Sequence, residues 1–149
     1  MADRDHVTRL VEIASTNGEL LTAQHEAARR LLAYDGEIFP HDGCAITLSV
    51  LMQSAGIAIE DTFQAIELTR LLANHRNWVV VPVGQQKSGD VGTTCGDVPV
   101  HGKDHIYLVL KDNNADEMVI ADNQDTHPHF RYASGKGGRT PTKYFLRAP

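Results

Sequence analysis

The chain has few cysteines, no long apolar segment and no excess of basic residues. Two cysteines, Cys44 and Cys95, are too few for a disulfide scaffold and lack zinc-knuckle spacing. No apolar run approaches the ~18 residues of a membrane helix, and the first ten residues, MADRDHVTRL, are too charged for a signal peptide. We therefore expect free thiols, no membrane partner and synthesis in the cytoplasm. Delivery to the periplasm or the outside would then need a route other than Sec.

The charge balance argues against a nucleic-acid partner. Fourteen Lys and Arg residues face nineteen Asp and Glu residues, which gives a formal net charge of −5. Binding to nucleic acids or to anionic lipids is driven by dense basic patches, and none is visible. The content of 42% hydrophobic and 22% charged residues is typical of a globular protein. Its 149 residues predict one domain covering residues 1–149.

The sequence pattern changes from helical to extended near the middle of the chain. Apolar residues at helical spacing predict helices over residues 7–14, 19–33 and 44–55, and Asp61-Thr62 can cap a fourth helix that carries Phe63 and Ile66. Short β-branched or apolar runs predict strands over residues 78–81, 106–110, 118–121 and 144–146, with long loops over residues 84–102 and 127–142. Helices followed by strands predict an α+β fold, with an antiparallel sheet packed on helices.

Cys44 is the first candidate for chemistry because it follows Gly43 and begins an apolar helix. A helix N-terminus carries unpaired N–H groups and partial positive charge, which favour a thiolate and a developing oxyanion. We therefore expect the pKa of Cys44 to be lowered by about one unit or more. Gly43 would leave room for a substrate carbonyl. The structural alternative is that Cys44 is a small buried hydrophobic residue.

His105 and the pair Asp122-Asn123 could complete a catalytic group. His105 begins the apolar strand HIYLVL and could act as a general base for Cys44, with His101 as its rival. A third side chain must orient the imidazole, and Asp122 and Asn123 follow the neighbouring strand at a suitable position. Asp and Asn are also ordinary turn residues at such a place.

These segments occur in the order DGC, CAITLSVLMQSAGI, WVVVPVGQQKSGDVG, HIYLVL and VIADN. In that order the chain resembles the papain-like peptidoglycan hydrolases of the NlpC/P60 and CHAP type, over roughly residues 30–123. Such enzymes have a cysteine at the start of the central helix, a Gly-Asp-Val segment, a histidine at the start of the next strand and a polar residue on the following one. Gly43 and Ala45 around the cysteine, and Ser88 in place of a proline, depart from the usual family pattern.

The resemblance implies a papain-like fold and a cysteine peptidase or amidase. Its catalytic residues would be Cys44, His105 and Asn123, with Asp42, Gly43 and Asp122 contacting the substrate. Asp42 could instead cap the helix. The implied substrate is a peptidoglycan stem peptide or cross-link, and the protein would be a cell-wall lysin or an antibacterial effector. An effector of this kind would need an inhibitory immunity protein as a partner. No metal or cofactor is expected.

Other interpretations remain open at this stage. The enzyme could act on proteins as a protease or deamidase, or the domain could be an inactive binding module of the same fold. His101-x3-His105 and His127-x-His129 could ligate zinc, although their spacing matches no zinc motif. The segment GKGGRT resembles part of a phosphate-binding loop but lacks the strand-to-helix context. Cys95 is interpreted as an accessory thiol that could pair with Cys44 only if their Cα atoms lie within about 7 Å.

Overall fold

A computed structural model of the chain describes residues 2–35 and 43–149. Asp42, which was predicted to contact substrate or cap the helix, lies outside the described residues. The described residues form four α-helices and six strands, which confirms a mixed α+β fold. The helices are α1 (Val7–Ser15), α2 (Asn17–Asp35), α3 (Cys44–Ala55) and α4 (Ala65–Arg70). The strands are β1 (Val79–Val81), β2 (Val91–Thr93), β3 (Ile106–Asp112), β4 (Glu117–Ala121), β5 (His129–Tyr132) and β6 (Tyr144–Arg147).

The six strands form one antiparallel sheet in the order β1-β6-β2-β3-β4-β5. Four of them match the sequence prediction. The other two, β2 and β5, lie inside the segments predicted as loops. Strand β2 has only three residues and contains Gly92, while β5 exposes Phe130 and buries Arg131. Neither has the apolar signature of a strand, so their extended conformation is set by pairing with neighbouring strands.

Helix α3 is the apolar helix that the sequence predicts to be buried. Ten of its twelve residues are buried, and it ends at Gly56, whose left-handed backbone (φ 100°) forms the C-terminal cap. Helix α4 begins later than predicted, with Gln64 as its N-cap. Asp61, predicted to cap that helix, instead accepts hydrogen bonds from Arg30 (2.8 Å) and from Gln53 (2.9 Å). These bonds connect α2 and α3 to the segment that follows α3.

Apolar side chains cover both faces of the sheet. On one face, Ile106 and Leu108 of β3 pack against the helices. The core cluster that they form includes Cys44. The other face, with Tyr107 and Val109, forms a second cluster with Met118 and Phe145. Because successive side chains of a strand point to opposite faces, a strand at the centre of such a sheet is buried on both sides.

A charged contact joins the N-terminal segment to the start of the sheet. Asp3 accepts hydrogen bonds from Arg76 Nε (2.8 Å) and Nη2 (2.6 Å) and from Trp78 Nε1 (2.9 Å). The paired guanidinium of Arg76 holds the pKa of Asp3 below its ordinary value, against the opposing effect of burial. Trp78 is a core residue, 3% exposed.

None of the helices in the described ranges combines the length and apolar character needed to cross a membrane.

Candidate active site

Cys44 is the first residue of α3, with Gly43 at the N-cap position. The first helical hydrogen bond runs from Thr47 N–H to the Gly43 carbonyl (3.0 Å). The N–H groups of Cys44, Ala45 and Ile46 therefore have no carbonyl partner within the helix. Gly43, as a glycine, offers no side chain to cap this end. The predicted placement of Cys44 at the helix start is confirmed.

The expected acidity of the Cys44 thiol is wrong for this structure. The side chain is 5% exposed, and its burial raises the pKa to about 12. Hydrogen bonds from the backbone of Ile106 and Ala45 oppose this effect, and the negative charge of Asp122 adds to it. Loss of hydration outweighs the field of the helix, because a thiolate in an apolar core gives up its water shell. At rest Cys44 is a neutral thiol.

The backbone contact with Ile106 puts Cys44 beside the start of β3, immediately after His105. The His105 main chain is fixed on the adjoining segment, since its N–H donates to Thr94 Oγ1 (2.8 Å) and its carbonyl accepts from Thr94 N–H (3.0 Å). The imidazole is buried, 7% exposed. His101, the alternative base, lies in the exposed turn before β3.

Asp122 makes the contact that was assigned to Asn123. His105 Nε2 lies 2.8 Å from Asp122 Oδ2. The other oxygen, Oδ1, lies 2.8 Å from His129 Nε2 and accepts the Gln124 N–H at 2.9 Å. Gln24 of α2 donates to the Asp122 carbonyl (2.8 Å) and so fixes the main chain at the end of β4.

The ionisation of Asp122 determines which nitrogen of His105 is free. Burial would raise the pKa of Asp122, but hydrogen bonds from His105 and His129 outweigh it and hold that pKa well below the ordinary value. A carboxylate only accepts hydrogen bonds, so the proton in this contact belongs to His105 Nε2. In neutral His105 the basic nitrogen is therefore Nδ1.

Asn123 was predicted to orient the imidazole, but the carboxylate in contact with His105 belongs to Asp122. The side-chain oxygen Oδ1 of Asn123 is buried and has no hydrogen-bond partner in the part of the chain that the structure describes. Asn123 lies along the cavities on either side of the β4 end instead. Asp122, predicted to contact substrate, is completely buried at the side chain and is engaged by the two histidines.

The contact between His129 and Asp122 was not predicted from the sequence. His129 begins β5 opposite Ile120, which brings its ring to the Asp122 carboxylate. That hydrogen bond raises the pKa of His129 above its ordinary value, against the opposing effect of burial. The sequence predicts a loop around residue 129. Only the pairing of β4 with β5 shows that His129 lies opposite Ile120.

Cys44 lies between two cavities of different character. The larger, about 340 Å³, is lined by Ile66, Pro99 and Val100 and also by His101. The smaller, about 210 Å³, is polar and is lined by both Cys44 and His105. An extended substrate could therefore place its reactive carbonyl near Cys44 and a flanking group in each cavity.

Asp90 and Cys95, which the sequence also singles out, are buried in the fold. Asp90 of the Gly-Asp-Val segment is buried and pairs with Arg147 (Oδ2–Nη2 2.7 Å). Cys95 is buried, and both cysteines are free thiols. Within residues 2–35 and 43–149, no cluster of three or more His, Cys, Asp or Glu side chains has an arrangement suited to a metal ion.

Comparison of the chain with protein-family models, with curated proteins and with solved structures gives no match. The function is therefore inferred from the geometry of Cys44, His105 and Asp122.

Proposed function

We propose that the protein is a papain-like cysteine hydrolase that cleaves amide bonds, with Cys44 as nucleophile, His105 as general base and Asp122 as the positioning residue. The observation that carries the proposal is that Cys44 and His105 line one cavity while Asp122 holds His105 Nε2 at 2.8 Å. Nucleophilic catalysis requires a nucleophile, a base and a group that orients the base. In this proposal Asp122 takes the role first assigned to Asn123.

The neutral thiol determines the order of proton movements. As Cys44 Sγ attacks the substrate carbonyl carbon, its proton passes to His105 Nδ1, and the carbonyl π electrons move to oxygen. The N–H of Cys44 at the helix start donates to that oxyanion. Asp122 stabilises the imidazolium, because it is already ionised and in contact. His105 then gives the proton to the leaving amine as the C–N bond breaks.

Water completes the cycle. The acyl group remains on Cys44 as a thioester, and His105 removes a proton from a water molecule that attacks it. The tetrahedral intermediate collapses with the electron pair on sulfur, and the proton returns from His105 to regenerate the thiol. The products are one amine and one carboxylic acid, and no oxidant or cofactor is consumed.

The substrate class follows from the resemblance to NlpC/P60 and CHAP enzymes. We infer that the target is a stem peptide or cross-link of peptidoglycan, in keeping with a lysin or an antibacterial effector. A cell that makes such an effector would need an immunity protein to close the cavities beside Cys44.

Digestion of purified peptidoglycan tests the proposal. The protein should release new muropeptides that mass spectrometry identifies by the gain of one water per cut, and Cys44→Ala should release none. Cys95→Ala is the matched control, since it removes the other buried thiol, which does not line either cavity beside Cys44. Wall cleavage by Cys44→Ala would overturn the proposal, as would inactivity of the native chain on walls and on peptide amides.

The burial of Cys44 favours a second candidate, an inactive binding module of the same fold. A thiol with a pKa raised to about 12 is a poor nucleophile unless a base assists it. This candidate predicts binding of muropeptides by both the native protein and Cys44→Ala, with no cleavage by either one.

A further inference from the structure

The smaller cavity beside Cys44 has an excess of positive charge. Among the residues that the structure describes, its lining includes the cations Lys103, Arg131 and Arg139 and one acid, Asp104. Asp104 is engaged elsewhere, since its Oδ2 accepts the Val100 N–H at 2.8 Å. In a chain with a net charge of −5, this local balance is the reverse of the overall one. The cavity would attract an anionic group.

Among these cations, Arg131 has a buried charge. The residue is 4% exposed and lies on β5 opposite Met118. One nitrogen, Nη2, donates to the Thr140 carbonyl (2.7 Å), and the guanidinium lies 5.0 Å from the centre of the Tyr107 ring. Among the residues that the structure describes, no carboxylate forms an ion pair with it.

Two atoms of this cavity's lining residues have unmet hydrogen-bonding capacity. Arg131 Nε is a buried donor and Asn123 Oδ1 a buried acceptor, and neither has a hydrogen-bond partner among residues 2–35 and 43–149. Leaving such an atom unpaired is costly, so buried polar groups are normally hydrogen-bonded. A buried cation without a counter-ion costs still more. A ligand that brings a negative charge into the cavity would supply the missing counter-ion of Arg131.

We propose that this cavity binds a free carboxylate of the substrate, with Arg131 supplying the counter-charge and Arg139 assisting at the exposed rim. The proposal rests on the hydrolase function, because the same cavity contains Cys44 and His105. It assigns the substrate class: peptides that carry an ionised carboxyl group on the residue next to the cleaved amide. The planar guanidinium suits a carboxylate, which it can bind through two parallel hydrogen bonds.

Binding to the Cys44→Ala protein separates recognition from turnover. The probes are N-acetyl-alanyl-alanine with a free carboxylate and the same peptide with a C-terminal amide, measured by isothermal titration calorimetry. We expect the acid to bind at least about tenfold more tightly than the amide. In the Cys44→Ala background, Arg131→Gln should remove this preference and Arg139→Gln should reduce it.

Arg29→Gln is the matched control, because it removes one positive charge from an exposed side chain on α2. It should leave the preference for the acid unchanged. If Arg131→Gln does not fold, Arg139→Gln and the acid–amide comparison decide the matter. Equal binding of the two peptides, no binding of either, or an equal loss in Arg29→Gln and Arg131→Gln would overturn the carboxylate site.

The outcomes for the two proposals remain distinct. A protein that prefers the acid but never cleaves an amide would retain the carboxylate site and lose the hydrolase function. A protein that cleaves acid and amide substrates with equal kcat/KM would retain the hydrolase function and lose the carboxylate site.

Discussion

Asp122 Oδ2 lies 2.8 Å from His105 Nε2, and this contact determines the chemistry available to the imidazole. A second histidine, His129, occupies the other oxygen of the same carboxylate. The Asp122 carboxylate is therefore held from both sides and stays ionised in a buried position. His105 in turn keeps its proton on Nε2 and presents Nδ1 as the base.

Replacing Asp122 by Asn should reduce activity far more than replacing Asn123 by Ala. Asp122→Asn removes the negative charge that stabilises the imidazolium, and we expect kcat/KM to fall on the order of 10²- to 10⁴-fold. Steady-state kinetics on a peptide amide measure this ratio. The loss should fall mainly on kcat, because Asp122 acts through His105 and does not itself line the polar cavity.

Activity per folded molecule separates positioning from a general loss of structure. A variant that is only less stable would keep its kcat once the folded fraction is taken into account. A larger loss in Asn123→Ala than in Asp122→Asn would return the orienting role to Asn123, as the sequence first suggested.

Alkylation of Cys44 should be slow at neutral pH and should increase steadily in alkaline solution. Because burial raises its pKa to about 12, the thiolate fraction grows with pH throughout the range in which the protein is normally handled. In a Cys95→Ser background, the iodoacetamide rate should rise about tenfold per pH unit from pH ~7 to ~9. A rate that levels off within that range would mean that Cys44 is already a thiolate paired with His105, which contradicts a neutral thiol.

The bond between His129 and Asp122 should stabilise the fold most at acidic to neutral pH. The folded-state pKa of His129 is raised, so its contribution is fully present below the ordinary value of 6.5 and is lost as pH rises through the folded value. His129→Gln should lower the free energy of unfolding by about 1.5–3 kcal/mol near pH 5 and by less near pH 9. Urea denaturation at several pH values measures this difference.

His127→Gln is the control for this experiment. His127 pairs with Asp125 at 3.3 Å, but both side chains are more than a third exposed. Exposed pairs contribute about 0–1 kcal/mol, so this variant should differ little from the native chain. An equal effect of the two substitutions, or a His129→Gln effect that grows with pH, would contradict the linkage.

The helices and strands β3, β4 and β6 could be predicted because their residues carry the pattern of the core that they form. Strand β1 was predicted from its valines, although Val79 and Val80 are exposed. Helix α3 is apolar on nearly every side and is buried on nearly every side. Strand β3 is predicted from its apolar run and is buried on both faces. In these elements local preference and burial agree, so the sequence alone is sufficient.

The remaining features depend on distant partners. Strand β5 is recognised only from its pairing with β4, and that pairing brings His129 to Asp122. The choice between Asp122 and Asn123 depends on which side chain faces His105. Both residues follow the end of β4, where no regular alternation of side chains decides it. The acidity of Cys44 depends on how much of its surroundings is apolar, and the spacing of residues does not reveal that depth.

Gly92 should not tolerate a larger side chain, because it lies against the ring of Tyr107. It pairs with Tyr107, and a Cβ added there would lie 2.5 Å from the Tyr107 hydroxyl oxygen. That hydroxyl is also held by Thr142 at 2.6 Å, and Arg131 lies over the same ring. Gly92→Ala must therefore move Tyr107 or bend the sheet, at a cost of about 1–3 kcal/mol.

Denaturant unfolding measures that cost, and a Tyr107→Phe background tests its cause. Removal of the hydroxyl leaves the rest of the ring close to the added methyl group, so Gly92→Ala should remain destabilising there, by a smaller amount. Gly18→Ala is the control, since a Cβ at that position meets no other atom within 4 Å. A Gly92→Ala protein as stable as the native chain would mean that Tyr107 is not packed against β2 in this way, and Arg131 would then lose the ring that supports it in the cavity.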